Sequence, residues 1–312
     1  MAKSVVLEVD QLTKRFPQGR GSDFVAVDGI SFSLQKGEIL GLLGPNGAGK
    51  TTTMQMLLGI LSSSAGTIQY FGQDFETHRE SILEKVNFSS TYTNLPWALT
   101  IREALTYSAY LYAIDNRVAR IQRVSEIFRL TKLMNNEVNS LSAGQLTRLN
   151  LAKAFLNYPQ VLLLDEPTAS LDPETADHIR QFILQQREQF EVSILFTSHN
   201  MAEVSQVCDR VMFINHGKIV AIDTPSNLAK QIKNAKLELV VIDGLKRIVR
   251  FCSEQGLPCQ ELQRAVTVEI PEKQIARFLQ LLADHKITYD QISIKKPDLE
   301  DYFLAMARKK ES

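Results

Sequence analysis

The feature that most constrains this chain is the stretch GPNGAGKT at residues 44–51. It fits the pattern G-x-x-x-x-G-K-[ST] without departure. Glycines let the backbone fold into a nest of inward-pointing N–H groups, and a helix that begins near Lys50 adds the positive end of its dipole. The preceding segment EILGLLG is typical of a buried strand, and TTTMQMLLGIL is typical of a helix. Strand, glycine-rich turn and helix in this order predict a phosphate-binding loop.

This loop supplies most of the predicted nucleotide contacts. Lys50 is expected to reach the β- and γ-phosphates, and the Thr51 hydroxyl is expected to ligate Mg²⁺. The residues predicted to bind the nucleotide here are Gly44, Pro45, Asn46, Gly47, Ala48, Gly49, Lys50, Thr51 and Thr52.

An acidic motif, VLLLDEP at residues 161–167, provides the other groups that nucleotide hydrolysis needs. Asp165 ends an apolar segment and is predicted to hold Mg²⁺ through water. Glu166 follows it and is predicted to polarise the attacking water as a general base. Alone, such a pair is equally compatible with a solvated strand end. The phosphate-binding loop is what favours the catalytic interpretation.

A third apolar segment, SILFTSH at residues 193–199, ends in His199. The carboxyl ends of parallel strands line the ligand crevice of an open α/β sheet. His199 is therefore predicted to touch the γ-phosphate. The other four histidines lack this context and are expected at the surface: His78, His178, His216 and His285.

The apolar segments also indicate the fold. Strands buried on both faces of a parallel sheet are nearly continuous apolar runs, as in all three segments above. Near the N-terminus, Val5, Leu7 and Val9 alternate with polar residues, which predicts half-buried antiparallel strands. The predicted class is α/β: a core sheet with the phosphate-binding loop, an antiparallel β subdomain and a helical subdomain.

Two domains are predicted. Residues 1–228 would form the nucleotide-binding domain, with a mostly helical subdomain at about 80–160. FINHGKIVAID at residues 213–223 is typical of a hairpin with His216 and Gly217 at its turn. At residues 229–312, strand-like and helix-like segments alternate, which predicts a small C-terminal α/β domain.

Composition excludes some classes of protein. Lys plus Arg and Asp plus Glu both number 35, and a net charge of zero argues against nucleic acid as a partner. The three cysteines, without metal-like spacing, are expected to be unpaired thiols in a reducing compartment. The N-terminal MAKSVVLEVD lacks a signal-peptide core, and no apolar run approaches the length of a membrane span. A role at a membrane would therefore need a partner that spans it.

The stretch SLSAGQLTR at residues 140–148 predicts the start of a helix. Ser142 and Gln145 have the spacing of a capping box and precede an apolar-periodic run. An ordinary helix start and a helix N-terminus that binds an anion share this pattern. The residues alone leave both possibilities open.

The order of these motifs resembles that of the ATP-binding-cassette (ABC) ATPases: a phosphate-binding loop, LSAGQ, VLLLDEPTASLD and TSH, within residues 4–225. The resemblance implies ATP and Mg²⁺ as ligands and a head-to-tail homodimer around two ATP molecules. It implies that Phe16 stacks on adenine and that Asp172 belongs to the loop that couples the two sites. The residues that would contact the ATP of the opposite subunit are Ser142, Ala143, Gly144 and Gln145.

Two positions depart from the family pattern. Ala143 stands where the family usually has Gly, which matters only if the backbone there needs a positive φ. Thr91 falls at the Q-loop position, where the family normally has Gln near the γ-phosphate and Mg²⁺. A Thr side chain is too short to span the same gap. The hypothesis is that a water molecule takes the place of the amide oxygen.

The C-terminal segment resembles the closing part of ATPases from drug, antibiotic or polysaccharide exporters. Its P-x-LED-x-F pattern is matched by Pro297, Leu299, Glu300, Asp301 and Phe303. An ordinary amphipathic helix explains the same residues, and the two interpretations are compatible. The resemblance implies a cytoplasmic ATPase subunit, peripheral on the inner face of the cell membrane, that drives a separate integral membrane permease.

Residues 88–110 are the candidate docking surface for that permease, with the aromatic residues Trp97, Tyr107 and Tyr110, and Tyr112 just beyond. Each aromatic residue is equally compatible with the core of the helical subdomain.

Two alternatives remain at this level. A soluble ABC ATPase acting on ribosomes or DNA is disfavoured by the single phosphate-binding loop and by a gap between motifs that lacks sustained heptads. A regulatory module that binds nucleotide without hydrolysis is disfavoured by Lys50, Asp165, Glu166 and His199. Thr91 keeps this second alternative open.

Overall fold

The computed structural model describes residues 4–17, 23–90 and 95–308, which fall into two compact units, Met1–Thr224 and Pro225–Ser312. In the first unit, the described strands are β1 Val5–Phe16, β2 Phe24–Gln35, β3 Ile39–Leu43, β4 Ala65–Tyr70, β5 Gln73–Asp74, β6 Val86–Ser90, β7 Val161–Asp165, β8 Ser193–Thr197, β9 Arg210–Asn215 and β10 Lys218–Asp223. Its described α-helices are α1 Lys50–Leu57, α2 Arg79–Leu83, α3 Ile101–Ala109, α4 Arg117–Ile127, α5 Ala143–Ala154, α6 Pro173–Phe190 and α7 Met201–Val207.

The second unit contains α8 Pro225–Ala229, β11 Asn234–Asp243, α9 Leu245–Glu254, β12 Cys259–Leu262, β13 Ala265–Pro271, α10 Ile275–Asp284, β14 Thr288–Lys295 and α11 Leu299–Arg308. The sequence pattern predicts a domain boundary after residue 228. In the structure, α8 packs against α11 and therefore belongs with the second unit.

The core sheet of the first unit has the strand order β10-β9-β3-β8-β7-β6. Strands β9, β3, β8, β7 and β6 are parallel, and only β10 runs against its neighbour. Every residue of β3 and β8 is buried, because helices cover both faces of such a sheet. The parallel arrangement brings the carboxyl ends of β3, β6, β7 and β8 to one edge.

A second sheet of the first unit, in the order β2-β1-β4-β5, is antiparallel. Leu7 pairs with Leu34 and Val9 with Phe32, so the alternating apolar residues share one buried face. The predicted hairpin at residues 213–223 is also confirmed. His216 and Gly217 have φ angles of 47° and 73°, the left-handed conformation that a tight hairpin turn requires.

One prediction needs correction. The region from about 80 to 160 is not only a helical insertion, because β6 joins the core sheet beside β7. The strand VNFSS has no apolar run, and its polar side chains are buried. Asn87 is satisfied by Asn157, whose Oδ1 accepts a hydrogen bond of 2.8 Å from Asn87 Nδ2. The helical part of this region consists of α3, α4 and α5.

The second unit has the element order β-α-β-β-α-β before its last helix, and its sheet order is β12-β13-β11-β14. All its strand pairs are antiparallel, as in a ferredoxin-like split βαβ arrangement. Helices α9 and α10 bury Ile248, Phe251 and Phe278 in one apolar cluster with the inward residues of β11 and β13. The exposed edge strand β12 is an element that the sequence pattern did not reveal.

Among the described residues, the structure contains no helix that is both long enough and apolar enough to cross a membrane.

Candidate active site

The phosphate-binding loop joins the end of β3 to the start of α1. Gly49, at the N-cap of α1, has a φ of 104°, which L side chains rarely adopt. A Cβ atom at Gly49 would lie 2.5 Å from the carbonyl oxygen of Ala26 in β2, and one at Gly44 would overlap the carbonyl oxygen of Ile214 in β9. The loop is thus pressed against two strands at positions where only glycine fits.

Lys50 begins α1, and its side chain turns back into the loop. Its Nζ atom donates to the carbonyl oxygens of Gly44 at 2.6 Å and of Pro45 at 3.0 Å. Burial lowers the pKa of Lys50 below its ordinary value, and the negative charges of Glu166 and Asp165 act in the opposite direction. The ammonium group therefore lies within electrostatic reach of the acidic pair predicted from sequence.

Asp165 ends β7 between the two neighbouring strands. Its Oδ1 accepts a hydrogen bond of 2.6 Å from the Thr197 hydroxyl in β8, and its Oδ2 accepts one of 3.4 Å from the Ser90 hydroxyl in β6. The carboxylate is therefore oriented from both sides. Sequence reasoning missed Thr197 and Ser90, although both are the last residues of short buried strands.

Glu166 follows in a left-handed conformation, with a φ of 51°. Its backbone N–H donates to the carbonyl oxygen of Thr197 at 3.1 Å. This turn directs the carboxylate toward His199, whose Nδ1 atom lies 3.2 Å from Glu166 Oε2. The structure thus brings Lys50, Asp165, Glu166 and His199 to the same edge of the sheet.

A further residue that sequence reasoning missed is Glu203, in the first turn of α7. Its side chain is 4% exposed and accepts hydrogen bonds from the hydroxyls of Thr168 at 2.6 Å and Ser198 at 2.7 Å. Thr168 lies two residues after Glu166, and Ser198 directly precedes His199. Glu203 therefore ties together the two loops that carry the catalytic candidates. Its only signal in the sequence is a carboxylate three residues after the N-cap Asn200.

The predicted capping box at the start of α5 is confirmed. The Ser142 hydroxyl accepts a hydrogen bond of 3.3 Å from the Gln145 N–H, and Gln145 Oε1 accepts one of 3.0 Å from the Ser142 N–H. Ala143 is the first helical residue and has no positive φ, so alanine carries no conformational cost there. Ser142 and Ala143 are both exposed.

Gly144 lies against the loop that follows the acidic motif. A Cβ atom there would approach the carbonyl oxygen of Ser170 to 3.2 Å. Asp172, two residues further on, is the N-cap of α6 and accepts a hydrogen bond of 3.0 Å from the Thr175 N–H. Hydrogen bonds from Thr175 lower the pKa of Asp172. The predicted signature and coupling loops are thus neighbours within one chain.

Two other predicted residues lie at the margins of the described structure. Phe16 ends β1 and is 36% exposed, with the Lys14 ammonium 5.2 Å from the centre of its ring. Thr91 directly follows β6 but lies outside the described residues. Of the remaining histidines, His178 is half-buried rather than on the surface, and its Nε2 lies 3.0 Å from the carbonyl oxygen of Ile127.

A glycine-rich loop between a parallel strand and a helix, with an acidic pair at the end of another parallel strand of the same sheet, defines a phosphate-binding-loop ATPase. The family model described as ABC transporter matches residues 27–169. The chain is 30% identical over 287 residues to the linearmycin resistance ATP-binding protein LnrL of Bacillus subtilis, a match covering 89% of this chain and 92% of that protein. The chain belongs to the ATP-binding subunits of ABC transporters, and the predicted family and fold class are confirmed.

Other comparisons agree. The bacitracin transport ATP-binding protein BcrA of Bacillus licheniformis is 30% identical over 305 residues, which cover 97% of each chain. Among solved structures, the ATP-binding subunit of an ABC transporter superposes with a TM-score of 0.65 at 24% identity, covering 72% of this chain and 92% of that one. A dimeric structure of the ATP-binding cassette MJ0796 bound to ADP and Pi gives 0.65 at 21% identity, covering 70% and 98%. The structural matches show the fold.

Proposed function

We propose that this chain is the ATP-hydrolysing subunit of a membrane exporter, works as a homodimer around two Mg-ATP, and drives a separate integral membrane permease from the cytoplasmic face. One observation carries the proposal: Glu166 and His199 are paired at the strand ends, within the electrostatic field of Lys50. A regulatory module would have no need to hold a carboxylate and an imidazole together beside a phosphate-binding loop.

In the proposed reaction, Lys50 and the backbone N–H groups of residues 46–51 neutralise the β- and γ-phosphates. Glu166 accepts a proton from the attacking water, and its left-handed backbone and the bond to Thr197 hold it for this role. His199 orients the Glu166 carboxylate and interacts with the γ-phosphate. Phe16 provides an aromatic face for adenine.

The residues at this edge are compatible with Mg²⁺. Mg²⁺ prefers oxygen ligands and is usually held by one or two carboxylates together with substrate phosphates. Asp165, already oriented by Thr197 and Ser90, and the Thr51 hydroxyl are donors of this kind. Among the described residues, no cluster of three or more metal-binding side chains forms a protein-only cage. Bound Mg²⁺ would neutralise charge on the transferred phosphoryl group.

The second half of each nucleotide site is proposed to come from a second copy of the chain. The α5 N-terminus is exposed, while its own cap occupies the Gln145 N–H. The remaining N–H groups of the first turn and the helix dipole favour a phosphate of the opposite subunit. Asp172 would couple the two sites, because a Cβ atom at Gly144 would lie 3.2 Å from the carbonyl oxygen of Ser170, two residues before Asp172 in the same loop.

Export is supported by the names of the relatives, which concern linearmycin resistance and bacitracin transport. The match to BcrA extends over 97% of the chain and so includes the second unit. Within that unit the exporter-like pattern also has structural roles. Leu299 is buried, and Asp301 accepts a hydrogen bond of 2.5 Å from Lys236.

The proposed permease-docking surface consists of Trp97, Tyr107 and Tyr110, which are 74%, 59% and 68% exposed. Tyr107 and Tyr110 are three residues apart at the end of α3 and share one face of it. Exposed apolar side chains that form one patch are typical of interaction sites. Tyr112, two residues after Tyr110 in the chain, is half-buried.

We expect a multi-span membrane protein to be encoded beside this gene, and the test is reconstitution of this chain with that protein. We expect the permease to stimulate ATP hydrolysis, and Trp97→Ala with Tyr110→Ala to remove this stimulation without changing basal hydrolysis. Tyr158→Ala removes another exposed aromatic residue, 65% exposed, and serves as the control. Equal stimulation of all three proteins would contradict the proposed docking surface, and absence of any ATP hydrolysis would contradict the proposed function.

A further inference from the structure

A cavity of about 700 Å³ lies in the second unit, at the end of the sheet where β11 begins and β13 and β14 end. Strand register assembles it from distant parts of the sequence. Asn234 pairs with Pro271, and Lys236 pairs with Lys295, so the segments flanking these pairs meet. Sites of this volume accommodate small organic ligands.

The rim of this cavity is strongly basic. It carries Lys230, Lys233, Lys273 and Lys296 against a single carboxylate, Glu272. The rim therefore has a net charge of +3, in a chain whose overall net charge is zero. Such a concentration of one sign creates a local potential that attracts anions.

Most of this charge is not neutralised by the protein. Lys296 lies 3.0 Å from Glu272, which uses the one carboxylate of the rim. Within the described residues, Lys230, Lys233 and Lys273 have no ion-pair partner.

Lysines elsewhere on the same sheet are paired. Lys236 binds Asp301 at 2.5 Å, and Lys295 binds Glu238 at 2.7 Å. The lysines on the strands thus have carboxylate partners, whereas three of the four lysines at the rim of the cavity have no ion-pair partner among the described residues.

Other residues that line the cavity are apolar and less exposed than the lysines, and we call them the floor. Ile232, Pro271 and Pro297 line it, and each is half-buried. An apolar floor under a cationic rim suits a ligand with an apolar body and an anionic head. Lysine ammonium groups bind phosphate as point charges, with little demand on geometry.

We propose that this cavity binds a phosphate-bearing amphiphile, with its headgroup at the lysine rim and its apolar portion on the floor. A soluble phosphorylated amphiphile and an acidic phospholipid of a membrane share this chemistry. All residues that line the cavity belong to the second unit, so the binding test does not depend on the nucleotide site or on the proposed role in export.

The test measures binding of dihexanoyl phosphatidic acid, below its micelle concentration, to the full-length protein by calorimetry. We expect Lys230→Gln, Lys233→Gln and Lys273→Gln together to weaken binding at least about tenfold, because each lysine near an anionic group contributes to affinity. The matched control is Lys246→Gln, Arg277→Gln and Lys286→Gln, which removes the same charge from exposed positions outside the cavity. Its affinity should stay within about twofold of the wild type.

Two further binding measurements identify the class of ligand. Inorganic phosphate should bind at least about tenfold more weakly than the lipid, because it makes no contact with the floor. Phosphatidylcholine vesicles with and without phosphatidic acid then distinguish the sources. Vesicle binding lost in the cavity variant supports a membrane lipid, and binding of the short-chain lipid alone supports a soluble ligand.

A measurement on the wild type avoids substitutions altogether. Bound dihexanoyl phosphatidic acid should protect Lys230, Lys233 and Lys273 from acetylation, while Lys246 continues to react. The proposal is overturned if the cavity and control variants lose affinity equally, if inorganic phosphate binds as tightly as the lipid, or if no lipid binds the wild type.

Discussion

The Nδ1 atom of His199 lies 3.2 Å from Oε2 of Glu166. The two residues follow neighbouring parallel strands, β8 and β7, and the left-handed turn at Glu166 points its side chain across the gap. This contact couples the Glu166 carboxylate to the His199 imidazole. The first two predictions concern these two residues.

Replacing Glu166 by Gln should reduce ATP turnover by about 10²–10⁴-fold, because the amide cannot accept the proton of the attacking water. ATP binding should remain, and gel filtration with ATP should show an accumulated dimer. Phosphate release measures the rate. The exposed Glu76→Gln variant is the control and should behave as the wild type. Wild-type turnover in Glu166→Gln would exclude Glu166 as the general base.

Replacing His199 by Ala should lower the maximal rate at least about tenfold while changing ATP affinity little, since the lost contacts matter most when charge develops on the phosphate. Steady-state kinetics separate kcat from KM. The exposed His78→Ala variant is the matched control. A selective rise in KM, with kcat unchanged, would show that His199 only helps to bind ATP.

Replacing Gly49 by Ala should destabilise the first unit and remove ATP binding. The left-handed φ alone costs about 1 kcal/mol, and the Ala26 carbonyl oxygen at 2.5 Å adds a steric overlap. Gly72→Ala is a matched control, since Gly72 has a φ of 74° and open space around its Cβ position. Urea unfolding and binding of a fluorescent ATP analogue test this. Equal losses in the two variants would mean that the contact with β2 is unimportant.

Two substitutions of Ser142 can distinguish its role as a helix cap from its proposed role in the dimer contact. Ser142→Ala should cost about 1 kcal/mol of stability, as should Thr100→Ala, which removes a capping box at the start of α3. Ser142→Arg should in addition block dimer closure and ATP hydrolysis, while monomeric ATP binding persists. The measurements are urea unfolding, ATP-dependent dimerisation and phosphate release. An unchanged ATPase rate in Ser142→Arg would mean that this turn is only a helix start.

Replacing Glu203 by Ala should cost about 2–3 kcal/mol, because the hydroxyls of Thr168 and Ser198 lose a buried charged acceptor. The maximal ATPase rate should fall as well, since both loops carry catalytic candidates. Glu188→Ala removes a surface pair with Arg187 and should change stability by less than about 1 kcal/mol. Loss of stability with a normal maximal rate in the folded protein would limit Glu203 to a structural role.

Features that depend on residues close together in the sequence were predictable. The phosphate-binding loop, the capping box at Ser142 and the buried strands depend on residue types at short spacing. Other features were not predictable, because their partners are distant in the sequence. In the polar strand β6, Asn157 satisfies the buried Asn87, and the edge strand β12 pairs with β13.

The residue types alone predict which positions bind phosphate, which segments form buried strands and which family the chain resembles, because each of these depends on local chemistry. The tertiary structure decided how these residues meet. Parallel register brought Asp165 to Thr197 and Ser90. Helix α7 placed Glu203 where it binds the hydroxyls of Thr168 and Ser198 in two loops. The antiparallel register of the second unit gathered the lysines of the basic cavity. Contacts between residues far apart in the chain depend on strand order and register, and no local pattern encodes these.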